Sequence, residues 1–467
     1  MGLRRRKLAP AVASRMAAVR ALARVDTGVE LDHALDLEIR AQAPMERRDR
    51  ALATAIAYAA VRHRARIDAA LERAAGRLME KIARPLQPIL RAAAAQMLVL
   101  DAVPDHAAVS TATEVARELN ARSSREQRDR IAGFVNGVLR GLGRLPEDSR
   151  RAHPPDDLDP ARILATELSY PRWLLDRWIA RFGARAAAAL ASRWNEPAWL
   201  ALRLAPGADL ARLIERFREA GFEEAAESTW IPRCIRVRAA HPTELPGWDE
   251  GWFRVQDEAS QAVVWLLDPK PGERILDLCA GMGTKTAAIA ERAGGELALV
   301  AADSAGNRLR AQRAERRRTE SREPNFVVLD GSRELPFRPD TFDRVLVDAP
   351  CTGLGVIRRH PEIKWWRSPR DVERSALLQR AILDRAAAAV RPGGVLVYAT
   401  CSTEPDENED VVRGALERHP DLHVENARAW LPEPFAPLVG DDGFLRTYPA
   451  GEGLDGFFAV RLRRESG

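Results

Sequence analysis

Two cysteines occupy positions in which a thiol could act as a nucleophile. Cys351 ends the motif Asp-Ala-Pro-Cys at residues 348–351, and Cys401 lies in Ala-Thr-Cys-Ser at residues 399–402. Each motif follows a short apolar run that is typical of a buried strand. A lone cysteine is most often a small buried hydrophobe, and we interpret Cys234 and Cys279 in that way. A pair on one polar rim instead suggests nucleophilic catalysis.

Methylation of a pyrimidine carbon is the chemistry that such a pair would suit. The C5 atom of cytosine is a poor nucleophile until a thiolate adds at C6, after which C5 can attack a sulfonium methyl group. The C5 proton must then leave so that the thiol can be eliminated. The two tasks suit two groups: one cysteine adds to the base, and a second group assists its release. The residues alone give no reason to prefer Cys401 over Cys351 as the nucleophile.

A glycine-containing loop between a strand and a helix, residues 277–286, is the candidate cofactor site. Glycines let the backbone approach a ligand, and the helix N-terminus offers free N–H groups to an anionic one. A phosphate-binding P-loop is excluded, because Thr284 and Cys279 occupy its required glycine positions, and a dinucleotide fingerprint lacks its third glycine at Thr286. S-adenosylmethionine remains, with Asp303 placed to accept its ribose hydroxyls. A plain tight turn is the structural alternative.

Strands and helices alternate from Pro271 onward. The predicted strands span residues 274–278, 297–302, 325–329, 344–347 and 394–399. The polar residues at their ends are Asp277, Asp303, Asp330, Asp348 and Cys401. This alternation predicts parallel strands with right-handed crossovers and a ligand beyond their carboxyl ends. We therefore expect all five polar residues on one rim.

The preceding residues predict two further parts. Residues 8–145 are alanine-rich with apolar positions at a period of 3.6, which indicates a bundle of six to eight helices. Residues 144–160 are rich in proline and acidic side chains, as linkers are. Helical and strand-like runs then mix up to residue 255. We predict domains at 1–145, 161–255 and 256–467.

Composition bounds the class of protein. The 467 residues, 46% hydrophobic and 30% charged, indicate two or three folded domains rather than disorder. A net charge of +5 allows an anionic partner. The four cysteines form no Cys-x-x-Cys pair, so we exclude a disulfide scaffold and a thiolate zinc site, and expect a reducing compartment. No apolar run approaches the roughly 18 residues of a membrane span, so we expect a soluble, cytoplasmic protein.

Two basic stretches keep alternative interpretations. Residues 358–367 carry Trp365 and Trp366 among five potentially cationic side chains, which could bind phosphates and stack a base, or could be a loop pinned by its tryptophans. The arginine-rich first 24 residues could be an organellar transit peptide or a basic first helix. We favour the helix.

The chain closely resembles the Sun family of RNA cytosine-C5 methyltransferases, in particular the bacterial small-subunit ribosomal RNA branch that carries a NusB-like N-terminal domain. The resemblance spans nearly the whole chain. In the C-terminal part it rests on residues 251–260, 275–286, 343–360, 392–402 and 455–458. In the N-terminal part, residues 49–53, 103–109 and 133–140 are similar to the NusB-type helical domain.

The resemblance implies a multidomain fold, with an all-α NusB-like bundle, a small α+β module and a C-terminal α/β Rossmann-like methyltransferase domain. It implies Cys401 as the nucleophile and Cys351 as an aid to product release, with Asp348 and Lys285 near the cytosine. It also implies that S-adenosylmethionine is bound by Cys279, Ala280, Gly281, Met282, Gly283, Thr284, Lys285, Asp303, Asp330 and Asp348. The implied partner is small-subunit (16S) ribosomal RNA, without a membrane or a metal. We expect a monomer.

The sequence departs from the family at two points. The family usually reads Ala-Pro-Gly-Gly-Lys where residues 281–285 read Gly-Met-Gly-Thr-Lys, and an Asn often follows the arginine at Arg203 where this chain has Leu204.

Two other functions stay open. One is a non-catalytic NusB-like RNA-binding or antitermination factor, and the other is a cytosine-C5 methyltransferase that acts on tRNA or DNA.

Overall fold

The computed structural model describes residues 9–42, 44–100, 103–146, 160–239, 241–319, 323–448 and 454–466. Contacts divide the chain into two compact units. The first combines Met1–Glu196 with the segment His360–Trp366, and the second combines Pro197–Arg359 with Arg367–Gly467. The basic run at residues 4–7 and most of the predicted linker lie outside the described residues.

Seven α-helices precede residue 147 in the described part of the first unit, which confirms the predicted helical bundle. They are α1 Pro10–Val25, α2 Leu31–Ala41, α3 Arg47–Arg62, α4 Arg64–Ala75, α5 Gln87–Leu98, α6 Asp105–Leu119 and α7 Arg125–Arg144, with 3₁₀ turns at Met79–Lys81 and Arg84–Leu86. Alanine favours helix and its small side chain lets helices pack closely. Accordingly Ala17, Ala57 and Ala94 are fully buried in the core.

Three more helices complete the first unit: α8 Pro160–Leu168, α9 Arg172–Phe182 and α10 Ala184–Trp194. They pack around three aromatic rings, in which the centroid of Trp178 lies 5.4 Å from Tyr170 and 4.6 Å from Trp194. The segment predicted as one module, 161–255, therefore contributes helices to the first unit and strands to the second.

The tryptophans of the basic stretch are structural within the first unit. The segment contains the short helix α15 Ile363–Trp366. The indole N–H of Trp365 donates to the carbonyl of Val61 at 2.8 Å, and that of Trp366 donates to Val25 at 3.2 Å. Both carbonyls lie in the last turns of α3 and α1, where they lack an intrahelical partner. Of the two interpretations, the structure favours the loop pinned by its tryptophans.

Two charged side chains of this segment are also internal. Lys364 is fully buried, and its Nζ donates to the carbonyl of Arg62 at 2.8 Å and lies 3.9 Å from the Tyr170 ring centroid. Burial lowers the pKa of Lys364 well below its usual value. Glu362 is buried as well and accepts a hydrogen bond from the first backbone N–H of α2, that of Leu31, at 3.1 Å. The segment thus completes three helix ends.

The second unit begins with a small antiparallel sheet of order β2-β3-β1-β4. Its elements are β1 Leu200–Leu204, α11 Leu210–Glu219, β2 Ala226–Glu227, β3 Cys234–Val237, a 3₁₀ turn at Pro242–Glu244, and β4 Phe253–Val255. Leu213 and Phe217 lie one turn apart on α11 and are both buried, which fixes the helix on its apolar face.

A larger sheet of order β10-β12-β9-β8-β5-β6-β7 forms the rest of the unit, with β11 paired to β12. Its strands are β5 Arg274–Asp277, β6 Ala298–Asp303, β7 Asn325–Val328, β8 Phe342–Asp348, β9 Val390–Thr400, β10 Leu422–Glu425, β11 Leu445–Thr447 and β12 Phe457–Arg464. Its helices are α12 Glu258–Leu267, α13 Thr284–Ala293, α14 Gly306–Arg318, α16 Pro369–Ala389 and α17 Glu409–Arg418, with 3₁₀ turns at Pro405–Glu407, Ala427–Ala429 and Glu433–Leu438.

The five predicted strands, β5 to β9, are all present and pair in parallel. The sheet as a whole is mixed, because β12 lies antiparallel between β9 and β10. The sequence motif at 455–458 carried no strand prediction, yet β12 begins within it, next to the edge strand β10. Alternation of strands and helices detects parallel units and gives no signal for a terminal antiparallel strand.

A buried carboxyl ties the end of β5 to the helix that follows. Asp277 is fully buried, and its Oδ2 accepts a hydrogen bond from the hydroxyl of Thr286, on the first turn of α13, at 2.6 Å. Its Oδ1 has no hydrogen-bond partner among the described residues. Burial raises the pKa of Asp277 to about 7.

Trp365→Ala and Trp366→Ala should each lower the free energy of unfolding by about 2–4 kcal/mol, because each change removes a packed ring and an indole hydrogen bond to a helix-end carbonyl. The Val25 carbonyl keeps its second donor, the N–H of Gly28, so Trp365→Ala should be the more costly change. Urea denaturation of the full chain measures this loss, with Trp365→Phe and Trp366→Phe as controls that keep most of the packing. Unchanged stability combined with weaker RNA binding would favour the base-stacking interpretation instead.

Asp277→Asn should flatten the pH dependence of stability between about pH 4 and 7. The folded state holds the Asp277 proton more tightly than the unfolded chain, so this carboxyl stabilises the fold below its unfolded pKa and loses that contribution as pH rises toward 7. The wild-type loss should be roughly 1–3 kcal/mol. Urea denaturation from pH 4 to 7.5 measures it, with the exposed Asp441→Asn as control. Equal slopes in Asp277→Asn and wild type would contradict the argument.

Candidate active site

The glycine loop between β5 and α13 has a fixed backbone. The N–H of Gly281 donates to Asp303 Oδ2 at 2.9 Å, and Gln312 Nε2 donates to the carbonyl of Gly281 at 2.8 Å. Gly283 has φ +83°, and an added Cβ there would lie 2.4 Å from the Gln312 side chain. Only glycine therefore fits at position 283. Met282 stands where the family usually has proline, and its side chain is 59% exposed.

A cavity of about 230 Å³ lies beside this loop at the carboxyl ends of the strands. Asp303, Asp330 and Asp348 line it together with the apolar side chains of Leu378 and Ile382. Carboxylates accept hydrogen bonds from hydroxyl and amine groups, and the aliphatic wall suits an aromatic ring. This set fits the ribose and adenine of S-adenosylmethionine.

Local hydrogen bonds orient the first two carboxylates. Asp303 Oδ1 accepts from the backbone N–H of Ala305 at 2.7 Å. Asp330 accepts from the backbone and the hydroxyl of Ser332 at 3.0 and 2.6 Å, and these bonds lower the pKa of Asp330. Both groups keep lone pairs for a ligand, since each carboxylate oxygen has two.

A second cavity, of about 300 Å³, lies on the other side of the loop. All seven predicted loop residues, 279–285, line it, and so does Asp348, which therefore lies between the two cavities. Lys285 Nζ donates to Asp348 Oδ2 at 2.6 Å and lies 5.4 Å from the Phe457 ring centroid. A carboxylate and an ammonium side by side offer both an acceptor and donors to the polar edge of a base.

This cavity also contains three charged side chains that the sequence analysis did not assign. Arg359 donates to Asp257 Oδ2 at 2.8 Å, to Asp455 Oδ2, and to the carbonyl of Trp199 at 2.8 Å. Asp455 is 1% exposed, and its Oδ1 has no hydrogen-bond partner among the described residues. Burial raises the pKa of Asp455 to about 6. Asp257 and Asp455 each lie about 100 positions from Arg359 in the sequence, so residue spacing does not predict their contacts with it. Asp455 does belong to the family motif at residues 455–458.

The two candidate nucleophiles are adjacent. Their Sγ atoms lie 3.3 Å apart, and both side chains are partly buried. Parallel pairing of β8 with β9 puts Asp348 opposite Ala399, so the two cysteine loops leave the sheet at the same edge. The N–H of Gly355 then donates to the carbonyl of Cys401 at 2.9 Å and joins the loops. The structure thus brings Cys351 and Cys401 together, as the sequence predicts.

The cysteines differ in their surroundings. A hydrogen bond with Cys401 and burial raise the pKa of the Cys351 thiol well above its usual range. Burial likewise raises the pKa of Cys279, which lines both cavities, and of the fully buried Cys234. Those two thiols therefore stay protonated, as expected for small hydrophobes.

Neither a metal site nor a membrane span is found in the described part of the chain. No group of three or more His, Cys, Asp and Glu side chains there could hold a metal ion. No described helix is both long and apolar enough to cross a bilayer.

Comparison with known proteins confirms the resemblance. Residues 264–463 match the family described as 16S rRNA methyltransferase RsmB/F, and residues 12–144 match the NusB family. A probable ribosomal RNA small subunit methyltransferase B of Bacillus subtilis strain 168 is 33% identical over 380 residues, which cover 81% of this chain and 82% of that protein.

Solved structures agree with the fold. The crystal structure of PH0851 has a TM-score of 0.83 at 24% identity and covers 98% of this chain and 100% of that chain. A methyltransferase homolog from Pyrococcus horikoshii has a TM-score of 0.54 at 27% identity, covering 66% of this chain and 100% of that chain. This chain therefore belongs to the ribosomal RNA small subunit methyltransferase B family and is an S-adenosylmethionine-dependent methyltransferase.

Proposed function

We propose that this chain methylates C5 of a cytosine in small-subunit (16S) ribosomal RNA through a covalent bond between Cys401 and C6. The 3.3 Å separation of the Cys351 and Cys401 sulfur atoms, on the loops that follow the paired strands β8 and β9, is the observation that carries the proposal. The proposed substrate rests on the relatives, which are ribosomal RNA small subunit methyltransferases.

S-adenosylmethionine would be held by the glycine loop and the strand-end carboxylates. Asp303 would accept the ribose hydroxyls and Asp330 would lie near the adenine, while residues 279–285 would enclose the remainder. When bound, the cofactor supplies an electrophilic methyl group. The carboxylates and aliphatic wall of the 230 Å³ cavity support this assignment.

The target cytosine would leave its stack, since a base inside a helix cannot reach a thiol at a strand end. The 300 Å³ cavity would receive it, because Asp348, three residues before Cys351, lines that cavity; Cys351 and Cys401 themselves are not among its lining residues. Asp348 would accept a hydrogen bond from the exocyclic amine, and Lys285 would hold that carboxylate and donate to the base. Their 2.6 Å contact, together with the position of Asp348 in the lining of both cavities, supports a role at the boundary between base and cofactor.

The covalent steps use the two thiols in different ways. The thiolate of Cys401 would add to C6, and the electron pair of the C5–C6 bond would take up the methyl group, which the sulfonium cofactor gives up as it becomes a neutral thioether. The C5 proton would then pass to water, and its electron pair would re-form the C5–C6 double bond. The C6–S electron pair would move to sulfur, which would take a proton from Cys351, and Cys351 would regain a proton from solvent. This division of roles follows the family resemblance, and the 3.3 Å separation of the two sulfur atoms supports transfer of a proton between them.

The other parts of the chain would bind the RNA. We include in this role the helical domain 1–145, which matches the NusB family over residues 12–144, and the predicted module 161–255 before the catalytic domain 256–467. A cytoplasmic, monomeric enzyme is part of the same proposal.

Asp303→Ala should weaken S-adenosylmethionine binding by at least about tenfold, because it removes hydrogen bonds between a carboxylate and the ribose hydroxyls. Isothermal titration with the purified chain measures the dissociation constant. The exposed Asp441→Asn serves as control, with unchanged affinity expected. Equal affinity in Asp303→Ala and wild type would remove this carboxylate from the cofactor site.

The purified chain should form 5-methylcytidine in small-subunit RNA isolated from a strain in which the gene for this protein is deleted, as measured by nucleoside mass spectrometry.

Cys401→Ala should abolish both methylation and trapping by an RNA that contains 5-fluorocytosine. Cys351→Ala should instead accumulate a covalent enzyme–RNA species, visible as a slow band in denaturing gels. Unchanged 5-methylcytidine in the deletion strain would defeat the proposed substrate, and the reverse pattern of variants would exchange the roles of the thiols.

A further inference from the structure

Glu407 is a buried carboxylate that lines neither cavity of the candidate active site. It ends the 3₁₀ turn Pro405–Glu407, six residues after Cys401, and has no solvent exposure. Its Oε1 accepts from the N–H of Thr352 at 2.8 Å and from Gln379 Nε2 at 3.0 Å. Its Oε2 accepts from the hydroxyls of Thr352 and Ser402.

These donors belong to the two cysteine loops. Thr352 directly follows Cys351, and Ser402 directly follows Cys401. A carboxylate has two lone pairs on each oxygen, so these four donors fill it. Glu407 bonds to both Thr352 and Ser402, whose hydroxyl oxygens also lie 3.4 Å from each other. The third donor residue, Gln379, lies on α16 and also donates to the carbonyl of Pro350, next to Cys351, at 2.9 Å.

The turn that carries Glu407 is itself fixed to the sheet. The hydroxyl of Tyr398, on β9, donates to the Glu407 carbonyl at 2.6 Å. Asn408 donates from Nδ2 to the carbonyl of Ser402 at 3.0 Å and accepts from the hydroxyl of Thr400 at 2.5 Å. Glu407 therefore joins the loops from a rigid base rather than from a mobile one.

We propose that Glu407 is a positioning residue that holds the Cys351 and Cys401 loops at the separation needed for proton transfer between the two sulfur atoms. Its relevance to catalysis rests on the proposed function, because only a covalent mechanism requires both thiols. All four hydrogen bonds of its carboxylate are with Thr352, Ser402 and Gln379. Glu407 therefore acts through the loops and forms no hydrogen bond with either sulfur atom.

Loss of Glu407 should leave cofactor binding intact and slow the steps that use both thiols. The residue lines neither the 230 Å³ nor the 300 Å³ cavity. A displacement of about 1 Å in a reacting group can cost about 100-fold in rate, and the loops would lose their shared acceptor. In Glu407→Ala we expect kcat to fall about 10- to 100-fold with little change in KM for RNA.

A chemical readout tests the geometry independently of methylation. Oxidised glutathione accepts two electrons as Cys351 and Cys401 lose their two thiol protons and form one disulfide, releasing two molecules of reduced glutathione. The rate depends on the sulfur separation, and peptide mass spectrometry identifies the bridge. In the wild-type chain this disulfide should form readily, and in Glu407→Ala about tenfold or more slowly.

The conservative variant and a matched control complete the design. Glu407→Gln should recover most of the disulfide rate and of kcat, since its amide oxygen keeps two donors and its N–H groups can meet the rotatable hydroxyls. Glu409→Gln changes a carboxylate two residues away that accepts from Arg446 instead, and should match wild type. If Glu407→Ala does not fold, Ser402→Ala and Thr352→Val each remove one loop's hydroxyl donor and should each slow disulfide formation.

The outcomes separate the two proposals. Slow disulfide formation with lost kcat and retained cofactor affinity supports the positioning role. A lower melting temperature with wild-type disulfide rate and kcat would overturn it and leave a structural role only. Normal wild-type disulfide formation in a chain that makes no 5-methylcytidine would refute the proposed function, while the disulfide rates would still decide whether Glu407 holds the loops.

Discussion

Parallel pairing between β8 and β9 is the interaction on which the site depends. It sets Asp348 opposite Ala399 and so brings the Pro-Cys and Thr-Cys loops to one edge of the sheet. Both strands are buried on both faces, as residues 345–347 and 395–399 show, and this burial holds their register. A slip by one residue would turn alternate side chains to the wrong face and separate the two thiols from each other. Burial of the apolar side chains of β8 and β9 therefore fixes the positions of the polar residues that follow these strands.

Around this edge, charge is buried in compensated groups. Lys285 meets Asp348, and Arg359 meets both Asp257 and Asp455. Removing one partner from such a group leaves an uncompensated charge, which is far more costly than the net value of the pair. The raised pKa values of Asp277 and Asp455 report the same desolvation. An enclosed, pre-oriented site of this kind suits a reaction in which charge develops on a base during addition and release.

The sequence predicted the parts of the site that depend on local pattern. Each of the five parallel strands begins and ends within a few residues of its predicted position. Of the five rim residues, Asp303, Asp330 and Asp348 meet at one cavity, while Asp277 is buried below the glycine loop and Cys401 lines neither cavity. Contacts between distant residues were missed, because spacing carries no signal for them: Arg359 with Asp455, Glu407 with Thr352, and the tryptophans of residues 360–366 with helix ends in the first unit. The last strand, β12, was not predicted for a similar reason, since its partner β9 lies over 50 residues earlier in the sequence.

The account's central claim is that one particular sulfur bonds to the base. It is tested most directly by digesting the wild-type complex trapped with 5-fluorocytosine RNA and sequencing the nucleotide-bearing peptide by tandem mass spectrometry. The account predicts a nucleotide on the peptide of Cys401 and an unmodified peptide of Cys351. A nucleotide on the Cys351 peptide, or no covalent species with an RNA that the enzyme methylates, would contradict it.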